Sequence, residues 1–335
     1  MAKSRAKNPY YSGPPSDHFD GLRFFNPDGV EPGNFRDLLK WQFNGARARW
    51  PKAVSSPFAG SKPAERVTGQ DLRVTMVGHA TLLIQVSGLN ILTDPVWADR
   101  VSPFSFAGPK RVVPPGIAFE ELPPIDVVLV SHNHYDHLCV RTLKRLHQSH
   151  APRIVTPLGN DAIIRPAARD ARIDTLDWGN AVDLAPDIKL IAEPAHHWSA
   201  RGMGDRRMAL WAAFVIETPV GRIYHVGDTG FHDGRNYQAA ARKYGGFRLA
   251  ILPFGAYEPR WFMKGQHQNP DEAVRGMLEC KAAYVAGHHF GTFQLTDEPI
   301  DHPVTHLREA LERHGVDRAR FRALQPGEAF TVPTS

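Results

Sequence analysis

The chain has 335 residues, with 40 Lys and Arg against 35 Asp and Glu and 42% hydrophobic residues, the composition of an ordinary globular protein able to bury a large core in one domain or two. Nowhere do eighteen apolar residues run together, which excludes a membrane-spanning helix, and Cys139 and Cys280 stand too far apart for a disulfide framework or a paired-cysteine metal site. A net charge of +5 and a pI near 9.2 favour anionic partners such as phosphate esters or lipid surfaces, but without a like-charge block or an aromatic-interleaved basic tract no nucleic acid is indicated.

The N-terminal run Met1 to Lys7 is basic, yet Asn8-Pro9 and Gly13-Pro14-Pro15 follow where a secretory signal would be apolar, so a cytoplasmic, reducing location is expected. Residues 1 to about 33 are rich in Pro, Gly, Asn and Asp and are expected to form an irregular arm. The first helix is expected after Asn34, which can cap, with Asp37 at the third helical position. Phe35, Leu38, Leu39, Phe43 and Ala46 fall at helical spacing opposite Arg36, Lys40, Arg47 and Arg49. Such an amphipathic helix either docks on the core or lies on a membrane surface, because both demand the same pattern. Residues 1–65 are thus expected to be an extension with one amphipathic helix, and residues 66–335 the main domain.

Strand signals begin at Leu72 to Val77 and Thr81 to Val86, then turn through Ser87-Gly88-Leu89-Asn90 into Ile91 to Thr93. A Pro-, Gly- and Ser-dense stretch from Arg100 to Pro115 reads as a long loop. Asp126 to Val130 is a buried strand, Arg141 to His147 a helix, Arg153 to Pro157 a strand and Asp161 to Ala168 a helix. Further strands are expected at Ile188 to Glu193, at Leu210 to Glu217 paired with Arg222 to Val226, at Leu249 to Pro253, at Ala283 to Ala286 and at Ala329 to Val332. Helices are expected at 235–244, at 271–280 after the cap Asn269-Pro270 with Glu272, and at 304–314. This alternation is that of an α/β protein.

The chemistry concentrates in Ser131-His132-Asn133-His134-Tyr135-Asp136-His137-Leu138, at the carboxyl end of a buried strand. Imidazole nitrogens and carboxylate oxygens are ligands for zinc and neighbouring divalent transition metals. His132 and His134, two residues apart on extended chain, can face one ion, whereas Asp136 and His137 reach a second more easily than they crowd the first. Four ligands cannot close two sites. Three later strands end in the same way: at Pro194-Ala195-His196-His197-Trp198, at Gly227-Asp228-Thr229-Gly230 and at Gly287-His288-His289-Phe290-Gly291-Thr292.

The 131–138 stretch resembles the signature of the metallo-β-lactamase fold, a four-layer αββα sandwich holding a dinuclear zinc site at one edge. Leu92-Thr93-Asp94-Pro95, Gly108-Pro109-Lys110-Arg111, Gly227-Asp228-Thr229-Gly230, Gly255-Ala256-Tyr257-Glu258-Pro259-Arg260-Trp261-Phe262-Met263-Lys264 and His289-Phe290-Gly291-Thr292-Phe293 further resemble the N-acyl-phosphatidylethanolamine-hydrolysing phospholipases D. The resemblance implies two Zn²⁺ ions, the first held by His132, His134 and His197, the second by Asp136, His137 and His289, with Asp228 shared. His197 is preferred over His196 because the family's ligand directly precedes the tryptophan, and His289 over His288 because it directly precedes Phe290-Gly291-Thr292. Asp136, Asp228 and His267 are then expected to carry catalysis, Tyr135, Tyr257, Arg260, Trp261 and His267 to touch substrate, and Asp94 to support a metal-bound histidine. His79, His196 and His288 receive no role. The implied reaction is hydrolysis of a phosphodiester, a membrane phospholipid, by water activated between the ions, with peripheral membrane contact. A lactone, soluble phosphodiester or nucleotide hydrolase of the same fold is the rival, and a non-catalytic metal-binding protein a third reading.

Overall fold

Alternating apolar residues fold into two stacked sheets, each closed off from solvent by helices. The computed structural model describes residues 7–29, 31–60 and 62–334, so most of the basic N-terminal run lies outside the described residues, as does the side chain of Phe35. In chain order the main elements are α1 (Phe35–Asn44), β1 (Leu72–Gly78), β2 (Thr81–Val86), β3 (Leu89–Thr93), β4 (Val127–Leu129), α2 (Val140–His150), β5 (Arg153–Pro157), α3 (Asp161–Ile164), β6 (Ile173–Leu176), β7 (Ala181–Ala185) and β8 (Ile188–Glu193). They continue with β9 (Ala213–Glu217), β10 (Ile223–His225), α4 (Arg235–Tyr244), β11 (Phe247–Pro253), α5 (Arg260–Met263), α6 (Pro270–Glu279), β12 (Ala282–His288), α7 (His302–Arg313), β13 (Phe321–Arg322) and β14 (Ala329–Thr331).

The first sheet has the order β14-β1-β2-β3-β4-β5-β6 and the second β13-β12-β11-β10-β9-β8-β7. Between them lies a core in which Val74, Met76, Ile84 and Val127 of the first sheet meet Leu190, Phe214, Ile223 and Ile251 of the second. The outer face of the first sheet packs Val128 and Val130 on Leu143 and Leu146 of α2. On the outer face of the second, Tyr224, Ala250 and Val285 meet Tyr237 of α4, Met277 of α6 and Leu307 and Leu311 of α7. This is the expected four-layer αββα sandwich.

The N-terminal arm wraps onto the second sheet. Phe19 and Phe24 are buried in its outer core, and the Asn8 side chain donates to the carbonyls of Leu22 and Met208, both at 2.8 Å.

Several expectations need correction. The second helix of the first half shrinks to the single turn α3, with irregular turns on to Ala168. The expected strand from Leu210 pairs only from Ala213. β6, β7 and β13 had no signal strong enough to read: β6 and β7 are sheet-edge segments of mixed, half-exposed character, and β13 is two residues long. α1 has its Asn34 and Asp37 capping box but ends at Asn44, before Ala46. It is held by Trp41, whose indole N–H donates to Asp297 at 2.9 Å and whose ring lies 5.1 Å from that of Phe262. Leu38 and Leu39 stay partly exposed and Phe43 fully so.

Candidate metal centre

Six strands deliver polar residues from their carboxyl ends to one edge of the sandwich: β1 to His79, β3 to Asp94, β4 to Ser131 through His137, β8 to His197, β10 to Asp228 and β12 to His289. The backbone must turn sharply to do this. Asp94, His79 and His289 hold left-handed φ values of 35°, 59° and 67°, conformations that cost a non-glycine residue about 1–2 kcal/mol and that concentrate at functional sites. Gly227, at φ 64°, precedes Asp228 where a Cβ would stand 2.8 Å from that of Ser131, so no larger residue fits.

The side chains form two groups that share one carboxylate. In the first, Nε2 of His132 and Nε2 of His197 lie 2.9 and 3.2 Å from Nδ1 of His134. In the second, Asp136 Oδ2 lies 3.2 Å from His289 Nε2 and 3.5 Å from His137 Nε2. Asp228 Oδ2 stands between them, 3.2 Å from His137 Nε2, 3.1 Å from His289 Nε2 and 3.8 Å from His197 Nε2. Tetrahedral ligands at about 2.0–2.1 Å from one zinc stand about 3.3 Å apart. The observed separations match; the first group, and the second together with His79, each bring their donor atoms within 4.8 Å of one another. The residues therefore fit divalent metal ions.

At the first group the electrostatics agree with that fit, whereas in the second the carboxylates raise His137, as they do His289, against burial, so both must give up a proton to bind a metal. Burial, with the neighbouring imidazoles, holds His132 and His197 well below their ordinary pKa and lowers His134 to about 4, so these three present the neutral form that binds metal. Burial would raise Asp136 and Asp228, but the surrounding histidines outweigh it and keep both carboxylates ionised. Burial disfavours the cationic form of His289, yet Asp228 and Asp136 push it up to about 9.

A supporting layer fixes the ligands. His137 Nδ1 donates to Asp94 at 2.8 Å, and Asp94 also accepts from the Ser131 hydroxyl and backbone N–H, both at 2.7 Å. His197 Nδ1 donates to the Gln266 carbonyl at 3.0 Å, and Ser131 Oγ lies 2.9 Å from His132 Nδ1. In each case the occupied Nδ1 leaves Nε2 for the metal. Arg201 braces the loop from outside, donating to the carbonyls of Asn133 and Leu138 at 2.9 Å and covering the Tyr135 ring at 3.9 Å. Sequence reasoning gave His79 no role, yet its Nε2 sits 2.9 Å from Asp136 Oδ2. Its signal was present: like the others, it directly follows a strand. His196 instead faces Asp28 and His232, and His288 lies in the inter-sheet core beside His225.

A cavity of about 250 Å³ opens onto this centre, bounded by His134, Asp136, Asp228, His267 and His289 and walled by Leu38, Phe262, Met263 and Leu295. Among the described residues four other cavities are larger, at about 310 to 440 Å³; none is lined by a residue of either donor group, although His79 lines one of them. His267 Nδ1 is 3.8 Å from Asp228 Oδ2. The other expected substrate contacts are placed elsewhere. Tyr257 is buried with its hydroxyl 2.8 Å from His306 Nδ1, and Tyr135 lines a neighbouring groove with Arg100 and Arg141. Arg260 binds Glu272 at 2.7 Å and the His267 carbonyl at 2.9 Å, so it positions the His267 loop. Trp261 is 54% exposed and faces Lys40; from the Tyr257 to Lys264 run, Phe262 and Met263 reach the cavity.

Residues 89–290 match the family described as Beta-lactamase superfamily domain. The chain is 38% identical over 285 residues, 80% of each sequence, to N-acyl-phosphatidylethanolamine-hydrolyzing phospholipase D 1 of Caenorhabditis elegans. It is 26% identical over 264 residues, 78% of this chain and all of the relative, to a UPF0173 metal-dependent hydrolase of Pyrobaculum neutrophilum. Among solved structures, Igni18, a metallo hydrolase from Ignicoccus hospitalis, superposes with a TM-score of 0.58 at 19% identity, covering 79% of this chain and 100% of that one, a likeness of fold alone.

Proposed function

Because this chain belongs to the β-lactamase superfamily of metal-dependent hydrolases, we propose that it is a dinuclear zinc phosphodiesterase. Its substrate would be N-acyl phosphatidylethanolamine or a related phospholipid, cleaved to phosphatidic acid and the headgroup alcohol. The observation that carries the reading is the apolar-walled cavity ending on two groups of His and Asp donors with Asp228 Oδ2 within 3.8 Å of both. The likeness to the nematode phospholipase D supports the choice of substrate.

His132, His134 and His197 would hold the first ion, Asp136, His137 and His289 the second, and Asp228 both. When bound, such a pair supplies Lewis acidity that lowers the pKa of water and offsets charge on a phosphoryl group. The chain's own residues do the rest. Burial lowers His267 to a pKa of about 4, so it meets the phosphate as a neutral hydrogen-bond donor. The Gln266 carbonyl and Asp94 hold His197 and His137 in the metal-binding tautomer. Leu38, Phe262, Met263 and Leu295 would give the scissile bond apolar surroundings.

At about 250 Å³ the cavity is smaller than the roughly 300–1,000 Å³ that enclose drug-sized ligands. It holds the phosphate, the ethanolamine amide and the first part of the N-acyl chain, and the rest of the acyl chains must extend beyond it. Leu39, Phe43 and Trp261 are exposed beside cationic Lys40, a combination suited to a membrane surface bearing the substrate; among the described residues no helix is long and apolar enough to cross it.

Purified, metal-analysed protein assayed against N-acyl phosphatidylethanolamine vesicles, a bis-aryl phosphodiester and a lactone panel tests the proposal. Turnover of the lipid is expected, falling about 10³-fold or more in Asp228→Ala, since the bound ions supply several kcal/mol of charge stabilisation. Turnover of lactones alone would overturn it.

A further inference from the structure

Arg206 is the only Lys or Arg among the described residues lining the cavity above the metal centre. It is half-buried, it stacks 4.6 Å above the Trp198 ring, and it donates from Nη2 to the Gly33 carbonyl at 2.9 Å. Among the described residues no carboxylate pairs with it: its acidic neighbour Glu31 is bound by Arg207. The Trp198 ring in turn lies 4.7 Å from that of His134. One indole therefore separates this guanidinium, attracted by Glu31 but in no ion pair among the described residues, from a candidate metal ligand.

The rest of the lining points the same way. Its carboxylates are Asp136 and Asp228, both committed to the metal centre. Its two indoles, the natural hosts for an organic cation, are already covered, Trp198 by Arg206 and Trp41 by Arg47 at 5.3 Å. A headgroup ammonium entering this cavity would find neither a free acid nor an uncovered indole, and it would meet a like charge.

We propose that Arg206 is a specificity-determining residue that admits phosphodiesters with an uncharged amide or hydroxyl headgroup and rejects those carrying an ammonium. The inference rests on the phospholipase reading above and names what that site selects. An N-acylated ethanolamine passes because acylation removes the amine's charge and adds apolar bulk that Leu38, Phe262 and Leu295 can accept. Unmodified phosphatidylethanolamine fails on both counts.

The test compares kcat/KM for N-acyl phosphatidylethanolamine and phosphatidylethanolamine in the same vesicles, using metal-loaded wild type, Arg206→Glu and Arg206→Lys of equal metal content. Dissociation constants of two soluble probes, glycerophospho-N-acetylethanolamine and glycerophosphoethanolamine, are measured alongside by calorimetry. Wild type is expected to favour the acylated member of each pair. Arg206→Glu should cut both preferences about tenfold or more, and Arg206→Lys should keep them. Preferences in Arg206→Glu within twofold of wild type would overturn the inference while leaving the phospholipase reading intact. Absence of turnover of either lipid by wild type would overturn both.

Discussion

Asp94 shows how much of the centre depends on a residue that would touch no metal. It accepts from Ser131 twice and from His137, and His225 Nε2 approaches it at 3.8 Å. All of this is fully buried, in a left-handed backbone conformation. Removing its charge leaves His137 free to adopt the wrong tautomer. Asp94→Asn should therefore weaken metal binding about 10–100-fold, the usual loss for a supporting carboxylate, read by competition against a chromophoric chelator. Unchanged affinity would show that His137 orients itself. At this scale the sequence was informative because each ligand sits where a strand ends, a rule that needs no knowledge of distance. The same rule covered His79, His196 and His288 equally and could not say which ring turns inward. Only the fold shows that His79 reaches Asp136 while His196 turns to Asp28.

Helix α6 links local stability to the site. Asn269 caps it by accepting from the Glu272 N–H at 2.8 Å, Glu272 returns a contact to the Asn269 N–H at 2.9 Å, and the same Glu272 Oε2 holds Arg260. Asn269→Ala should cost about 1 kcal/mol, visible as a lower urea midpoint. The other end of the first turn is pH-sensitive. Burial would raise Asp271, but His314 at 3.0 Å and Arg313 at 2.5 Å, both at the end of α7, bring its pKa below the ordinary carboxylate value. A depressed folded pKa means stability that is present above the unfolded pKa of about 3.9 and lost as pH falls through the folded one. The stability gap between wild type and Asp271→Asn should accordingly close below about pH 4, as followed by chemical denaturation; a gap that persists there would exclude this ion pair as its cause. α6 was legible from its cap, Pro270 and Glu272 because those signals are local. α5 was not, because four residues carry no periodicity, and the Arg260 contacts that define its role come from α6 and the His267 loop.

In the whole molecule the donor set unites the two sheets. His132, His134, Asp136 and His137 follow β4 of the first, whereas His197, Asp228 and His289 follow β8, β10 and β12 of the second. Bound ions should therefore stabilise the global fold by mass action: with free zinc at about 100 times its dissociation constant, each site adds about 2.7 kcal/mol. Stripping the metal should lower Tm in calorimetry and accelerate amide exchange at the sheet edge that carries the ligands. An unaltered Tm would mean that the sandwich is set without the ions. Periodicity made the alternation of strands and helices readable, whereas the four-layer architecture was implied only by the resemblance that the 131–138 stretch carries. The wrapping of the N-terminal arm was not readable, because Phe19 and Phe24 lie in a Pro- and Gly-rich stretch without periodicity and find their partners near residues 207–211.

The alternation of ligands between halves also sets a schedule. A ribosome releases His132 to His137 long before His289, and the first group lacks its third imidazole until residue 197 is out. A nascent chain can thus hold a stray ion only loosely through its first half. The second group has to wait longer, until β12 has docked and brought His289, so occupancy of both groups would mark the joining of the two sheets.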